Sequence, residues 1–336
     1  MVGRVDLVAP DGVGEVAPGT DLAALVADLL APVDGDVVVV TSKVVAKAEG
    51  RVRTGDREAL VDAETVRVVA RRGPTRISRT RHGLTLAAAG VDASNVARGS
   101  VVPLPHDPDA SARALRAALH ERTGVNVGVV VTDTAGRAWR EGQTDIAVGA
   151  AGLRVLDDHA GRVDGYGNEL AVTAPAVADE IAGAAELAQG KLSGRPLVLV
   201  RGRADLVLPP GEDGPGARGL VRDPARDMFG YGAREAVVAA LAAEVDAAEL
   251  ADGFGAPASA GDLADALARV LAVPVLVVEE EAPQARDGCA GTPFHLSLHL
   301  PAATGLERTL DALGRAFAWR WERTGPAEVR FVPGTP

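Results

Sequence analysis

The amino-acid sequence predicts an α/β (mixed α+β) protein, in which strands and helices form a main domain and a small α+β unit follows it. Short runs of β-branched residues alternate with helical stretches over most of the chain, and the composition changes beyond about Asp252. Of the 336 residues, 47% are apolar but only 3% are aromatic, so the core must consist mainly of Val, Leu and Ala. A chain of this length can bury two cores of ordinary size.

The elements of the main domain follow from the spacing of apolar residues. The predicted strands cover residues 37–40, 66–70, 127–131 and 196–201. One predicted helix begins at Lys43, and the others cover residues 111–122, 175–189 and 234–250. Ser42 is expected to cap the helix that begins at Lys43, and Gly190 is expected to end the helix over residues 175–189. The Pro- and Gly-rich residues 208–219 predict an exposed loop.

The change in composition divides the chain into a main domain (1–250), a linker of small residues (251–261) and a small α+β domain of unknown role (262–336). The small domain is predicted to contain helices 262–271 and 306–321 and strands 273–278, 294–300 and 329–332. Leu306, Leu310, Leu313 and Phe317 recur at helical spacing, which is typical of a core. His295 and His299 alternate with leucines, which favours the open face of a strand over a metal site.

Charge and targeting signals exclude several classes of partner. The net charge of −11 argues against broad attraction to nucleic acid or anionic lipid, so an anionic ligand would need local lysines, backbone amides or metal ions. The single cysteine, Cys289, forms no disulfide framework and fits a reducing cytoplasm. The first residues lack the features of a signal peptide, and no apolar run approaches a membrane span. We therefore expect a cytoplasmic protein that binds neither nucleic acid nor membrane.

Only three of the 35 basic residues are lysines: Lys43, Lys47 and Lys191. In a chain that otherwise uses arginine, a lysine can indicate a site that needs a compact ammonium, although chance survival is the alternative. Lys43 and Lys47 are four residues apart and share one helix face, where they would repel each other unless an anion lay between them. With Ser42, they predict a phosphate or carboxylate site; a solvated helix face is the alternative.

Two polar clusters offer oxygen ligands that suit Mg²⁺ or Mn²⁺. Asp92, Ser94 and Asn95 form the first, for which an Asx-type turn is the alternative interpretation. Residues 132–134 (Thr-Asp-Thr) form the second, directly after a predicted buried strand, where ligands collect in α/β proteins. The polar stretch continues to residue 145, a density that a loop alone does not explain.

Residues 190–194 (Gly-Lys-Leu-Ser-Gly) are similar to a phosphate-binding loop but do not form a Walker A motif. Leu192 stands where Ser or Thr is required, and the preceding glycine, Gly183, is too distant. The alternative interpretation is a nucleotide-phosphate loop of another kind. Together with the lysines and the two oxygen clusters, this loop favours metal-assisted phosphoryl transfer.

Six segments, in order within residues 4–245, resemble the coenzyme F420-0:γ-glutamyl ligase family, most of all the ligase domain of its actinobacterial members. They are TSKVVAKAEGR (41–51), RHGLTLAAAGVDASNV (81–96), VVVTDTAGRAWREGQTDIAVGAAGL (129–153), DGYGNEL (164–170), AVADEIAGAAELAQGKLSG (176–194) and Asp227-Met228-Phe229. The resemblance implies a two-lobed F420 ligase-like fold with a mixed sheet, and a homodimer. It also implies GTP-dependent addition of L-glutamate to coenzyme F420-0, and to F420-1, through an acyl phosphate with two Mg²⁺ or Mn²⁺ ions.

The resemblance also implies roles for individual residues. The metal ligands would be Asp92, Asp133 and Thr134. The GTP contacts would be Val13, Gly14, Glu15, Val16, Ser42, Lys43, Lys47, Asn95, Gln189, Gly190, Lys191, Leu192, Ser193 and Gly194. Lys47, Lys191 and Asp133 would take part in catalysis, the two lysines by offsetting charge on the phosphates.

The chain departs from the family pattern in two places. Residues 13–16 read Val-Gly-Glu-Val where the family usually has Leu-Pro-Glu. Some actinobacterial members carry a longer, flavin-dependent, nitroreductase-like domain after the ligase, whereas the residues beyond 250 show none of its motifs, so we expect no FMN binding. Alternatives to the leading hypothesis are a GTP- and metal-dependent ligase with another carboxylate acceptor, and a non-catalytic regulator that binds F420 or nucleotide.

Overall fold

The computed structural model describes residues 3–72, 74–242, 247–271, 276–278, 295–299, 306–325 and 328–333. The chain forms two compact units: the first comprises Met1–Val68 and Arg72–Val221, and the second comprises Val69–Arg71 and Arg222–Pro336. Within the described residues, no helix combines the length and the apolar character needed to cross a bilayer. Cys289 and the side chains of His295 and His299 lie outside the described part of the chain.

The helices and strands up to residue 221 are β1 (Asp6–Val8), α1 (Leu22–Leu30), β2 (Val37–Thr41), α2 (Ser42–Ala48), β3 (Arg53–Thr54), α3 (Arg57–Glu64), β4 (Thr65–Arg72), β5 (Thr75–Thr80), β6 (Thr85–Ala87), β7 (Ser100–Val101), α4 (Pro108–Thr123), β8 (Gly128–Gly136), β9 (Gln143–Ala151), β10 (Arg162–Val163), β11 (Glu169–Leu170), α5 (Val177–Gln189) and β12 (Leu197–Arg201). Those beyond it are α6 (Ala233–Leu241), α7 (Ala247–Phe254), α8 (Ala260–Leu271), β13 (Leu276–Val278), β14 (His295–His299), α9 (Leu306–Phe317), β15 (Trp319–Gly325) and β16 (Glu328–Pro333).

The central sheet of the first unit has the strand order β1-β12-β2-β8-β9. β2 and β8 are parallel, whereas the other neighbours are antiparallel, which confirms the predicted mixed sheet. Val38 and Val40 of β2 face a core shared with α1 and α4, and Val37 and Val39 face a core shared with α5. Because helices cover both faces, the strand is apolar at every one of these positions.

The largest departures from the predicted elements in the first unit concern α2 and β8. α2 begins at Ser42 rather than Lys43, and the Ser42 hydroxyl donates to Asp133 instead of capping the helix. β8 continues to Gly136, so that residues 132–134 lie within the strand and not after it. The reason is that β9 pairs with β8 beyond the point where β2 ends.

The second unit contains an antiparallel sheet of order β13-β14-β16-β15, which agrees with the predicted α+β character. Leu310 is fully buried against Leu263 and Phe331, and Leu306, Leu313 and Phe317 pack around them, so the predicted core role of α9 is confirmed. α9 is shorter than predicted because Ala318 turns the chain with a φ of 55° and β15 begins directly after it.

The contacts divide the chain after residue 221, whereas the composition placed the boundary at residue 250. α6 belongs to the second unit because its carboxyl end accepts hydrogen bonds from Arg315 of α9 at the carbonyls of Ala240 (3.1 Å) and Ala242 (2.5 Å). The continuous helix predicted over 234–250 is wrong, since α6 ends at Leu241 and Ala242 is extended. The predicted linker, 251–261, contains the end of α7 and the start of α8.

Arg116 of α4 is buried among the loops that close the sheet, with only 6% of its surface exposed. Its guanidinium donates to the carbonyls of Val127, Leu208, Pro209 and Glu212 and to the side chains of Asn126 and Asp213. Gly152, at a φ of 63°, leaves room for it, because a Cβ there would overlap the guanidinium. The predicted exposed loop 208–219 is therefore in part a buried lid over Arg116, and Ala217 within it is 1% exposed.

We expect Arg116→Met to lower the free energy of unfolding by about 3–5 kcal/mol, because it leaves several buried acceptors without a donor. Arg122→Met, on the same helix, is the matched control: Arg122 forms one exposed ion pair, with Asp21 at 2.6 Å, which contributes at most about 1 kcal/mol. Urea titrations followed by circular dichroism measure both. Equal effects of the two substitutions would contradict a structural role for the Arg116 network.

Candidate active site at the carboxyl edge of the central sheet

The candidate site lies where β2 and its neighbours meet at one edge of the sheet. The parallel register pairs Thr41 with Thr132, so the next residues, Ser42 and Asp133, are adjacent. The Ser42 Oγ donates to Asp133 Oδ1 at 2.9 Å. β12 runs antiparallel to β2, and the Thr41 amide donates to the Pro196 carbonyl at 3.1 Å, which brings the loop before β12 to the same edge.

Lys43 connects this edge to the first oxygen cluster. Its Nζ lies 2.5 Å from Asp92 Oδ2 and 2.6 Å from Ser94 Oγ. The Asx-type turn is also present, since Asp92 Oδ1 accepts the Ser94 amide at 2.8 Å. Burial raises the pKa of Asp92, but the hydrogen bonds from Lys43 and Ser94 and the charge of Lys43 outweigh it and lower the pKa below its ordinary value. Asp92 is thus ionised at neutral pH.

Lys47 has its own carboxylate partner, Glu15, at 2.6 Å. The side chains of Lys43 and Lys47 are 17% and 10% exposed, so the interpretation of a solvated helix face is wrong. Their mutual repulsion is relieved by two separate carboxylates rather than by one shared anion. The same pair brings the turn 13–16 beside α2, where Val16 is buried in the core.

Asp145 is a site residue that the sequence analysis left without a role. It lies opposite Thr134 in the β8–β9 ladder and is 5% exposed. Its carboxylate accepts the hydroxyls of Thr132 at 3.0 Å and Thr134 at 2.7 Å. A register shift between Val131 and Thr132 adjusts this pairing. Only the pairing of the two strands reveals the contact, because ten residues separate Thr134 from Asp145 in the sequence.

The pKa of Asp133 is raised to about 7. Burial is the main cause, and the nearby carboxylates of Asp145 and Asp92 raise it further, while the hydrogen bond from Ser42 and the charge of Lys43 lower it. No described residue forms an ion pair with Asp133 or Asp145. The surroundings of Asp133 therefore disfavour its charged form, which a bound cation would favour.

Lys191 approaches the same carboxylates from the loop after α5. Its Nζ donates to Thr134 Oγ1 at 3.0 Å, and because Thr134 donates its own proton to Asp145, the hydroxyl is free to accept. Gln189 is 6% exposed, and its Nε2 has no hydrogen-bond partner among the described residues. The Ser193 hydroxyl donates back to the Gly190 carbonyl at 2.9 Å, which closes the loop on itself.

Not every predicted residue joins this arrangement. Asn95 is exposed at a φ of 53° and forms no hydrogen bond with another described residue. Leu192 is 99% exposed, so its side chain contacts little of the protein, and Gly14 and Gly194 lie on the exposed surface. The structure thus unites Ser42, Lys43, Asp92, Asp133, Thr134 and Lys191, and brings Glu15 to Lys47 beside them.

The donor set fits a hard divalent cation. Asp92, Asp133 and Thr134 present carboxylate and hydroxyl oxygens, which Mg²⁺ and Mn²⁺ prefer. No group of three or more Asp, Glu, His or Cys side chains in the described part of the chain could hold a metal by itself. Mg²⁺ commonly binds through one or two carboxylates, several waters and substrate phosphates, so the two aspartates suit an ion shared with a phosphate ligand.

Comparison with known proteins identifies the family. The profile described as F420-0:Gamma-glutamyl ligase matches residues 12–202. The chain is 41% identical over 239 residues to a coenzyme F420:L-glutamate ligase of Methanopyrus kandleri, which covers 64% of this chain and 93% of that protein. It is 38% identical over 224 residues to the ligase of that name from Methanothermobacter thermautotrophicus, covering 59% and 89%.

The ligase of the same name from Archaeoglobus fulgidus is 40% identical over 219 residues, covering 59% of this chain and 88% of that protein. The matches include the strands and the loops that form the sheet edge described above. They confirm the resemblance recognised in the sequence. This chain belongs to the F420-0:γ-glutamyl ligase family.

Proposed function

We propose that the protein is a GTP-dependent ligase that joins L-glutamate to coenzyme F420-0, and further to F420-1, in F420 biosynthesis. The names of the curated relatives support the acceptor and the amino acid. The phosphoryl-transfer part rests on one observation: three segments that resemble nucleotide- and metal-binding motifs meet at a single sheet edge, joined by the contacts of Ser42 with Asp133 and of Lys191 with Thr134. In line with the resemblance, we also propose a cytoplasmic homodimer.

Asp92, Asp133 and Thr134 would hold the divalent ions. The raised pKa of Asp133 supports this assignment, because a buried carboxylate without an ion pair to a described residue gains most from a bound cation. When bound, Mg²⁺ or Mn²⁺ supplies charge neutralisation at the phosphate oxygens during phosphoryl transfer. Asp145 positions the Thr134 hydroxyl by accepting its hydrogen bond. The Thr134 oxygen therefore acts as an acceptor, with one lone pair used by Lys191 and the other left for the ion.

The lysines are arranged to bind phosphate oxygens. Lys47 is held by Glu15, whose side chain is 81% exposed, and such an exposed partner costs little to displace. Lys47 can therefore transfer its hydrogen bond from Glu15 to a phosphate. Lys191 extends from the opposite loop to Thr134, so that the two lysines approach the site from different segments.

The reaction has two steps. An oxygen of the acceptor carboxylate attacks the γ-phosphorus of GTP, and the bond to the bridging oxygen breaks, which releases GDP and forms an acyl phosphate. The amine of L-glutamate then attacks the acyl carbon, and the bond from that carbon to the phosphate oxygen breaks. The nitrogen loses one proton, which balances the phosphate that leaves, and the products are the amide and inorganic phosphate. Lys47 and Lys191 stabilise the charge on the transferred phosphoryl group in the first step.

The direct test is to incubate the purified protein with F420-0, L-glutamate, GTP and Mn²⁺ and to follow the cofactor by mass spectrometry. We expect glutamyl additions that depend on GTP, with one GDP and one phosphate released for each. Replacing GTP with ATP tests the nucleotide. Intact GTP binding without any addition would contradict the proposal and favour another acceptor or a regulatory role.

We expect Asp133→Ala to lower kcat by at least about 100-fold, the usual scale for removal of a group that stabilises charge in the transition state. The matched control is Asp28→Ala, since Asp28 is an exposed carboxylate on α1. Steady-state rates and Mn²⁺ binding by electron paramagnetic resonance measure both variants. Unchanged turnover and Mn²⁺ affinity in Asp133→Ala would rule out its role as a metal ligand.

The raised pKa of Asp133 predicts how stability depends on pH without metal. Between the ordinary value of 3.8 and about 7, the folded protein keeps a proton that the unfolded chain has released, so this residue's contribution to stability falls as pH rises. With EDTA present, Asp133→Asn should therefore gain in Tm relative to the unsubstituted protein as pH increases from 5 to 8. Asp28→Asn is the control, and a Tm difference that is constant with pH would contradict the assigned pKa.

A further inference from the structure

The β8–β9 hairpin projects beyond the sheet edge that carries the candidate site. The last pair between β2 and β8 is Thr41 with Thr132, yet β8 and β9 stay paired as far as Gly136 with Gln143. At about 3.3 Å per residue, this free part of the ladder extends roughly 13 Å past the end of β2. Residues 137–142 form its tip, three residues beyond Thr134.

The tip presents an aromatic ring and cations to solvent. The Trp139 side chain is 82% exposed, and its backbone lies in the left-handed region, with a φ of 58°, which is unfavourable for a bulky residue. Arg137 stabilises the turn by donating to the Glu141 carbonyl at 2.8 Å. The exposed guanidinium of Arg140 has no hydrogen bond or ion pair with any described residue. The tip therefore exposes most of an indole side chain to solvent, next to a guanidinium that has no ion pair with a described residue.

These side chains match a ligand that is both planar and anionic. An exposed indole stacks on a flat conjugated ring, and a guanidinium binds phosphate or carboxylate groups. The net charge of the chain is −11, so an anionic ligand needs a local cation to approach the protein. The acceptor of the proposed reaction, a deazaflavin with an anionic end that carries the reacting carboxylate, has both features.

The tip belongs to none of the segments proposed for GTP. Those segments include the turn 13–16, whose Glu15 contacts Lys47 of α2, and the loop 189–194, whose Lys191 reaches Thr134 at the base of the free part of the hairpin. Residues 137–142 lie farther along the hairpin than Thr134. We therefore assign the tip to the acceptor, which must meet the nucleotide at Asp133 and Thr134, rather than to the guanine base.

We propose that the tip of the β8–β9 hairpin binds the ring system of the acceptor, with Trp139 stacked on the deazaflavin and Arg140 contacting its anionic chain. This assignment rests on the proposed function, since it takes its ligand from the proposed reaction. It makes Trp139 and Arg140 determinants of acceptor specificity, separate from the groups that bind phosphate and metal.

The test measures F420-0 binding by fluorescence anisotropy of the deazaflavin, with GDP and Mn²⁺ but no glutamate, so that no turnover occurs. We expect Trp139→Ala to raise the Kd for F420-0 about ten-fold, on the scale of stacking on an exposed aromatic side chain. Trp139→Phe should keep most of the affinity for F420-0, and Arg140→Gln should weaken it. The KM for GTP, measured separately in the ligase assay, should not change in any of these variants. Tyr166→Ala is the matched control, because Tyr166 is 95% exposed on the turn between β10 and β11.

Each other outcome has a definite meaning. If the unsubstituted protein binds F420-0 and adds glutamate while Trp139→Ala binds equally well, the hairpin assignment is wrong and the proposed function stands. If Trp139→Ala raises the KM for GTP instead, the indole binds guanine and the assignment is also wrong. If the unsubstituted protein neither binds F420-0 nor adds glutamate, both proposals fail. Circular dichroism checks folding, which a substitution at an exposed tip should leave intact.

Discussion

The parallel pairing of β2 with β8 is the constraint on which the candidate site depends. It aligns Thr41 with Thr132, so Ser42 at the start of α2 and Asp133 in β8 become neighbours although 91 positions separate them. The antiparallel pairing of β12 with β2 then places the loop that carries Lys191 at the same edge. Since both faces of the sheet are covered by helices, a slip of this register would move the polar residues at the strand ends into positions now filled by buried valines. The core thereby stabilises the alignment of the polar groups.

Buried charges elsewhere in the first unit are compensated, and this contrast distinguishes the site. Asp36, 1% exposed, accepts both Nε and Nη2 of Arg201, and Asp109 accepts the backbone amides of Ala150 and Ala217. Such groups stabilise the fold because each charge meets its donors. The pKa of Asp133 is instead raised, mainly by burial and further by the two neighbouring carboxylates of Asp145 and Asp92. A cation bound as we propose would relieve this unfavourable charge, so the fold would give up stability at the position of the proposed metal site.

Much of the fold could be predicted because its signals are local. The valine runs of β2 and β8 and the capping glycine of α5 depend on neighbouring residues only, and these elements occur close to the predicted positions. The errors arose where distant residues decide. β8 continues because β9 pairs with it, α6 belongs to the second unit because Arg315 binds its carboxyl end, and the loop 208–219 covers Arg116. The composition and the local sequence pattern do not identify these distant partners.

The sequence by itself determined the family, the mixed α/β class and most of the polar residues of the candidate site. The reason is that motifs of consecutive residues and the rarity of lysine can be recognised without knowledge of contacts in space. Only the tertiary structure decided which of these residues meet. It paired Lys43 with Asp92 and Lys47 with Glu15, brought in Asp145 through a cross-strand contact, and left Asn95 apart. The physical reason is that hydrogen bonds and charge effects depend on distances in space, and strand register and helix packing set those distances.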